Sequence, residues 1–192
     1  MRLLTLMLAL LIAPALSAQN NWKFDKAHTN IGFNVDHLVI TEVSGNFGSF
    51  QGDVTATSDD FANSKVSFTV DVASVDTDNQ KRDNHLKSDD FFNAKEYPHI
   101  KFSGGTLKHV EGKNYKLTGD LTIRDVTKPV TLDVEYGGTV KDPWGNTRAG
   151  FKITGMIDRF DYNIKFDAAM ETGGLVVGRE VEIECNVELT KG

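Results

Sequence analysis

Val66-Ser67-Phe68-Thr69-Val70-Asp71-Val72 sets apolar and polar side chains in strict alternation. Successive side chains of a strand point to opposite faces, so Val66, Phe68, Val70 and Val72 share one face and Ser67, Thr69 and Asp71 the other. The pattern returns at Leu117, Leu121 and Ile123, at Val130, Leu132, Val134 and Tyr136, and at Val181, Ile183, Cys185, Val187 and Leu189. A chain built almost wholly of two-faced strands has to bring its apolar faces together, as a sandwich or a closed barrel. Strands are expected over roughly 22–27, 29–36, 41–57, 64–73, 98–110, 114–124, 128–141, 147–160 and 179–190.

Short turn signals join most of these segments. Glu111-Gly112-Lys113-Asn114 and Asp142-Pro143-Trp144-Gly145-Asn146 read as hairpin loops, and strands joined so tightly run antiparallel. Gly45, Gly48, Gly52, Gly119 and Gly155 interrupt strands, where they let a sheet bend or bulge; this favours a barrel over a flat sandwich. One segment breaks the pattern: Asp78 to Phe92 reads as one or two short helical turns across a barrel end, with Asp78 as the N-cap. A second irregular stretch, Tyr162 to Gly178, carries Gly173, Gly174 and Gly178, and either stretch is suited to cover an opening. The expected fold is all-β, a single antiparallel barrel with a short helical segment near one end.

The 192 residues fit one domain. Arg2 followed by the uncharged run Leu3 to Leu16, with Pro14 and small residues near its end, reads as a secretory signal peptide over 1–18, leaving a mature domain over 19–192. Its removal takes one base and no acid, moving the formal charge from −6 to −7. That sign disfavours nucleic acid and anionic membrane surfaces as partners. No cysteine near the cleavage region offers a lipid attachment point, so no stable membrane anchor is expected. Cys185, the only cysteine, excludes an internal disulfide and reads as a buried, inert thiol.

Catalytic and metal chemistry find little support. His28, His37, His85, His99 and His109 lack the flanks of a nucleophile elbow, a zinc-binding helix or a calcium loop, and Asp59-Asp60 and Asp89-Asp90 read as turn acids. His28 and His37 across one hairpin-like region would suit haem or metal carriage, but no spacing selects a metal geometry. No enzyme, metal or cofactor is therefore expected.

Motifs in order along the chain carry a family resemblance: Ser74-Val75-Asp76-Thr77, Arg82-Asp83-Asn84-His85-Leu86, Asp90-Phe91-Phe92, Tyr97-Pro98, Gly119-Asp120-Leu121-Thr122-Ile123, Val126-Thr127-Lys128-Pro129-Val130, Asp142-Pro143-Trp144-Gly145 and Arg148-Ala149-Gly150-Phe151. Ahead of them lie His28-Thr29, His37-Leu38 and Gly45-Asn46-Phe47. Together they resemble the YceI-like family of exported, lipocalin-like proteins, across essentially the whole mature chain. Asp125, where a glycine is common, and Asp161-Tyr162-Asn163 depart from the pattern. The resemblance implies a periplasmic barrel whose hydrophobic lumen holds a polyisoprenoid lipid, of the prenyl quinone or prenyl phosphate type.

Small barrels of about eight strands either fill their interior with side chains or keep room for one ligand. The aromatic residues suit both outcomes, because they are spread through many strands rather than gathered in one cluster. For a lumen, the expected lining is Phe33, Phe47, Phe68, Phe91, Phe92, Phe102, Trp144 and Phe151, with Arg82, Asp83, His85 and Arg148 at the rim. An arginine there would grip a phosphate and a neutral histidine would donate to a quinone carbonyl; the alternative for each is an ion pair or cap within its loop. Burying each five-carbon prenyl unit gains roughly 3 to 4 kcal/mol, at about 0.8 kcal/mol per carbon group. Tail burial alone can then carry affinity, leaving the rim to orient the head group. The rival readings are a ligand-free, stress-related interaction module and, further off, a hydrolase. A homodimer is left open.

Overall fold

Alternating residues form strands wherever the sequence sets them, and the connecting turns make every pairing antiparallel. The computed structural model describes residues 19–168 and 175–192; the leader read at 1–18, and Gly173 and Gly174 of the second irregular stretch, lie outside them. The strands are β1 (Asn20–Phe24), β2 (Asn30–His37), β3 (Thr41–Phe47), β4 (Phe50–Ala56), β5 (Lys65–Asp71), β6 (Val75–Asp76), β7 (His99–Glu111), β8 (Asn114–Ile123), β9 (Val126–Lys141), β10 (Thr147–Asp158) and β11 (Val177–Lys191), with one short helix, α1 (Gln80–Leu86). Eight of them close into a barrel in the order β1-β4-β5-β7-β8-β9-β10-β11, the seam being sealed by Trp22 to Phe24 of β1 against Leu189 to Lys191 of β11. A side sheet, β2-β3-β6, joins the other half of β11, where Val177 to Asn186 pair with β2.

The stretch expected as one strand over 41–57 is two. It turns at Gly48-Ser49, where the Gly48 amide donates to the Ser74 carbonyl at 3.2 Å and the Ser49 amide to Ser74 Oγ at 3.0 Å. That corner lets β3 stay in the side sheet while β4 enters the barrel. A second local feature keeps β7 in register: Gly104, at φ +64°, takes the extra place of a bulge, so Phe102, Gly105 and Leu107 all stay inward.

The helix begins one residue later than the sequence suggests. Asn79, not Asp78, is its cap, accepting from the Arg82 amide at 3.1 Å, and Asp78 sits at φ +59° in the turn ahead of it. Asp83, 6% exposed, accepts from the Thr77 amide at 2.9 Å and from its hydroxyl at 2.6 Å, which pins the helix to β6. The helix, the loop 87–98 and the segment 159–168 lie over one end of the barrel. At that cover Arg124 donates to the carbonyls of Phe91 at 3.1 Å and Asn163 at 2.8 Å, tying two of the covering segments to the β8–β9 turn.

Candidate functional site

The inward faces of the strands do not fill the barrel evenly. At the end bounded by the β7–β8 and β9–β10 hairpins, Phe61 from the β4–β5 connection inserts across the axis and is 1% exposed. Its ring lies 4.8 Å from Trp22, 5.0 Å from Phe151 and 5.7 Å from Tyr136, and the Tyr115 hydroxyl donates to the Asp60 carbonyl at 2.7 Å beside it. These contacts make a plug.

From that plug to the covered end the barrel is hollow. A cavity of about 210 Å³ runs between Phe24, Phe68, Phe102 and Leu117 at mid-barrel and Leu86, Ile157, Ile164 and Val177 under the cover. That is well over ten times the roughly 10–15 Å³ needed to seat one water, so it is no packing defect. Apart from Gly32, Cys185 and Arg159, every residue bordering it is Val, Ile, Leu or Phe. Phe24, Phe33, Phe68 and Phe92 point inward yet are only half-buried, and the surface they keep faces this space.

Glycines hold the space open. A side-chain carbon added at Gly119 would stand 2.5 Å from the Phe102 ring, and one at Gly105 would stand 2.6 Å from it. Phe102 therefore lies over two glycines of the wall instead of reaching across the lumen. Phe33 lies in the same way over Gly45, at 2.4 Å, and Gly52 seats both Phe68 and Phe24. The strand glycines read in the sequence as points of bending thus also serve as seats for rings.

The structure brings together Phe33, Phe47, Phe68, Phe91, Phe92 and Phe102 of the expected lining, all bordering the cavity. Phe151 points inward but belongs to the plug. Trp144, 81% exposed, stands at the tip of the β9–β10 hairpin, outside the interior altogether. Arg148 is not at the rim either: even-numbered residues of this part of β10 face outward, and its guanidinium reaches Asp25 and Glu188 at 2.5 Å and Asp142 at 2.7 Å. Arg82 donates to the Thr77 hydroxyl at 2.8 Å and to the Thr77 carbonyl at 2.5 Å, so it is the loop cap of the two readings open for it. His85 contacts Asp90 at 2.9 Å, and its ring meets Phe91 and Phe166 edge-on at 5.0 and 5.1 Å, joining two covering segments without bordering the cavity.

Among the described residues one group of three potential metal ligands converges, Asp25, His28 and Glu188, and the Arg148 guanidinium already sits against both carboxylates. His28 and then Arg148 hold the Asp25 carboxyl down at about 2. His37 is at the far end of β2 from His28, so the two histidines do not converge. Cys185 borders the cavity, and burial pushes its thiol up to about 11.

Two kinds of lining residue were missed from sequence. Ile31, Ile153, Ile157, Val181 and Ile183 supply much of the wall, and their alternation already marked them as inward. Arg159 is the other kind. It follows Ala149, Phe151, Ile153, Gly155 and Ile157 in the odd-numbered inward register of β10, so an arginine in an apolar series was the available signal.

Comparison with known proteins agrees with this architecture. A family model described as a YceI-like domain matches residues 22–189. A UPF0312 protein of Photorhabdus laumondii is 43% identical over 161 residues, covering 83% of each chain. The crystal structure of a Campylobacter jejuni YceI protein is similar at 37% identity and a TM-score of 0.67, over 88% of this chain and 96% of that one. A polyisoprenoid-binding domain from Saccharophagus degradans, 12% identical, shares the fold with a TM-score of 0.63 over 89% of this chain and 98% of that one. By a match that spans nearly the whole barrel and by relatives this similar over most of their length, the chain belongs to the YceI-like family.

Proposed function

We infer that this protein binds one chain-like lipid of the polyisoprenoid type in the barrel and carries or stores it in the periplasm after export. The observation that carries the reading is the cavity of about 210 Å³, bordered almost wholly by branched aliphatic and phenylalanine side chains. Apolar space of this kind stays dry, so an apolar chain entering it displaces no well-bonded water and gains contacts that the empty wall lacks. The polyisoprenoid-binding role of the Saccharophagus degradans domain, which has the same fold, supports the ligand class. Family and fold point to a binding protein rather than an enzyme. Arg2 and the uncharged run to Leu16 support export.

Organic extraction of the purified protein followed by mass spectrometry is the direct test. A stoichiometric long-chain lipid is expected. An empty extract, together with no uptake of added prenyl lipid, would favour the ligand-free interaction module instead. Cys185 offers a second readout: with a thiol raised to about 11, thiolate at pH 8 is roughly a hundredfold scarcer than for an ordinary cysteine. Labelling by a small apolar reagent is expected to be slow, faster as pH rises, and slower again when lipid fills the lumen.

A further inference from the structure

Arg159 is the one charged residue bordering the cavity among the described residues, and it is 4% exposed. Its Nε donates to the Gly178 carbonyl at 2.7 Å, one terminal nitrogen to Ile164 at 2.8 Å and the other to Val177 at 2.9 Å. A guanidinium has five N–H groups, so each terminal nitrogen keeps one N–H without a partner among the described residues. No described carboxylate lies within 4 Å of it: Asp158, which pairs with Arg179, and then Asp167 act on Arg159 only from farther away. The Phe160 ring packs against both arginines, with its centroid 4.7 Å from the Arg159 guanidinium and 4.6 Å from that of Arg179.

A cation taken out of water and left without an ion-pair partner is costly unless its hydrogen bonds are completed, and among the described residues two remain open beside an apolar space. The other arginines considered for this task are committed elsewhere, Arg82 to Thr77 and Arg148 to three carboxylates. We propose that Arg159 anchors the head group of the bound lipid, and that this head is an anionic oxygen acid, a phosphate or a carboxylate, with its chain running from Arg159 toward the Phe61 plug. This rests on the lipid-binding reading above and adds to it the polarity of the ligand and the end at which its head lies. A neutral ketone or alcohol would accept a hydrogen bond from Arg159 but leave its charge uncompensated, so the anion is favoured.

Delipidated full-length protein, titrated with geranylgeranyl monophosphate against geranylgeraniol and with palmitic acid against hexadecanol, tests the idea without any substitution. Each anion is expected to bind at least about tenfold tighter than its alcohol, the factor that one added charged hydrogen bond gives. Preference in the phosphate pair alone identifies a phosphate head, and preference in both pairs any anionic oxygen. Equal affinity within both pairs would overturn the anchor while leaving the lipid lumen standing; failure of all four ligands would overturn the lumen itself. Arg159→Gln should erase the preference, bringing the affinity of each anion down to that of its alcohol. Should that variant not fold, Arg159→Lys, which keeps the charge, should retain part of the preference. A crystal structure of the unmodified protein with the phosphate should place it against the Arg159 terminal nitrogens. A phosphate beside Arg82 or Arg148 would overturn the proposal.

Discussion

At one end of the barrel Phe61 fills the axis, held by Trp22, Tyr136 and Phe151; toward the other end Phe68, Phe102 and Phe33 surround a space that nothing in the described chain fills. The residue types are the same. What differs is the neighbour across the wall: Phe102 is seated over Gly105 and Gly119 and Phe33 over Gly45, whereas the rings of the plug meet other rings. An aromatic side chain thus fills a barrel when a loop drives it across the axis, and lines one when a glycine lets it lie against the sheet.

The sharpest way to break this contrast is Phe61→Ala. Loss of a ring that is 1% exposed and surrounded by rings is expected to cost about 3–5 kcal/mol in urea unfolding. A cost near 1 kcal/mol would mean that the plug is no better packed than the hollow half. Gly119→Val comes next: its new carbon would meet the Phe102 ring at 2.5 Å, forcing the ring into the lumen, with an expected loss of about 1–3 kcal/mol and a fall in extractable lipid. Stability lost with lipid content unchanged would show that the glycine seats do not create the space.

Phe68→Ala should cost only about 1–2 kcal/mol, because a half-buried ring gives up roughly half the area of a buried one, yet it should weaken retention of a bound chain. A cost equal to that of Phe61→Ala would erase the distinction between the two halves. The smallest effect concerns charges outside the plugged end. The Asp25 carboxyl, at about 2 against an ordinary 3.8, stabilises the fold above about pH 4, and the contribution disappears as pH falls through 2. Arg148→Ala should therefore lower the melting temperature at pH 7, and the gap from the unmodified protein should narrow between pH 4 and pH 2. A gap independent of pH would show that the aromatic plug alone secures that end.

Much of this was legible in the residues. Alternation at Val66 to Val72, at Val130 to Tyr136 and at Val181 to Leu189 marked the inward faces, because a period of two leaves a strand no other way to bury its apolar side. Applied further, the same rule separates Arg148 of β10 from Arg159 just past its end: Arg148 falls on the outward, even-numbered face and Arg159 continues the inward, odd-numbered series. Arg148 drew notice through its place in a recognisable motif, while the register pointed to Arg159. Trp144 shows the opposite limit, since nothing in a turn sequence says whether a large ring folds inward or stays in solvent.

Antiparallel pairing and the greasy inner face follow from local pattern, which is why turn residues and period suffice to read them. The split of 41–57 at Gly48-Ser49, the entry of Phe61 into the axis and the seating of rings on glycines of their own or a paired strand needed the tertiary structure. Whether a barrel is solid or hollow depends on which side chains meet across it, and that is a property of contacts between distant segments that no single strand encodes.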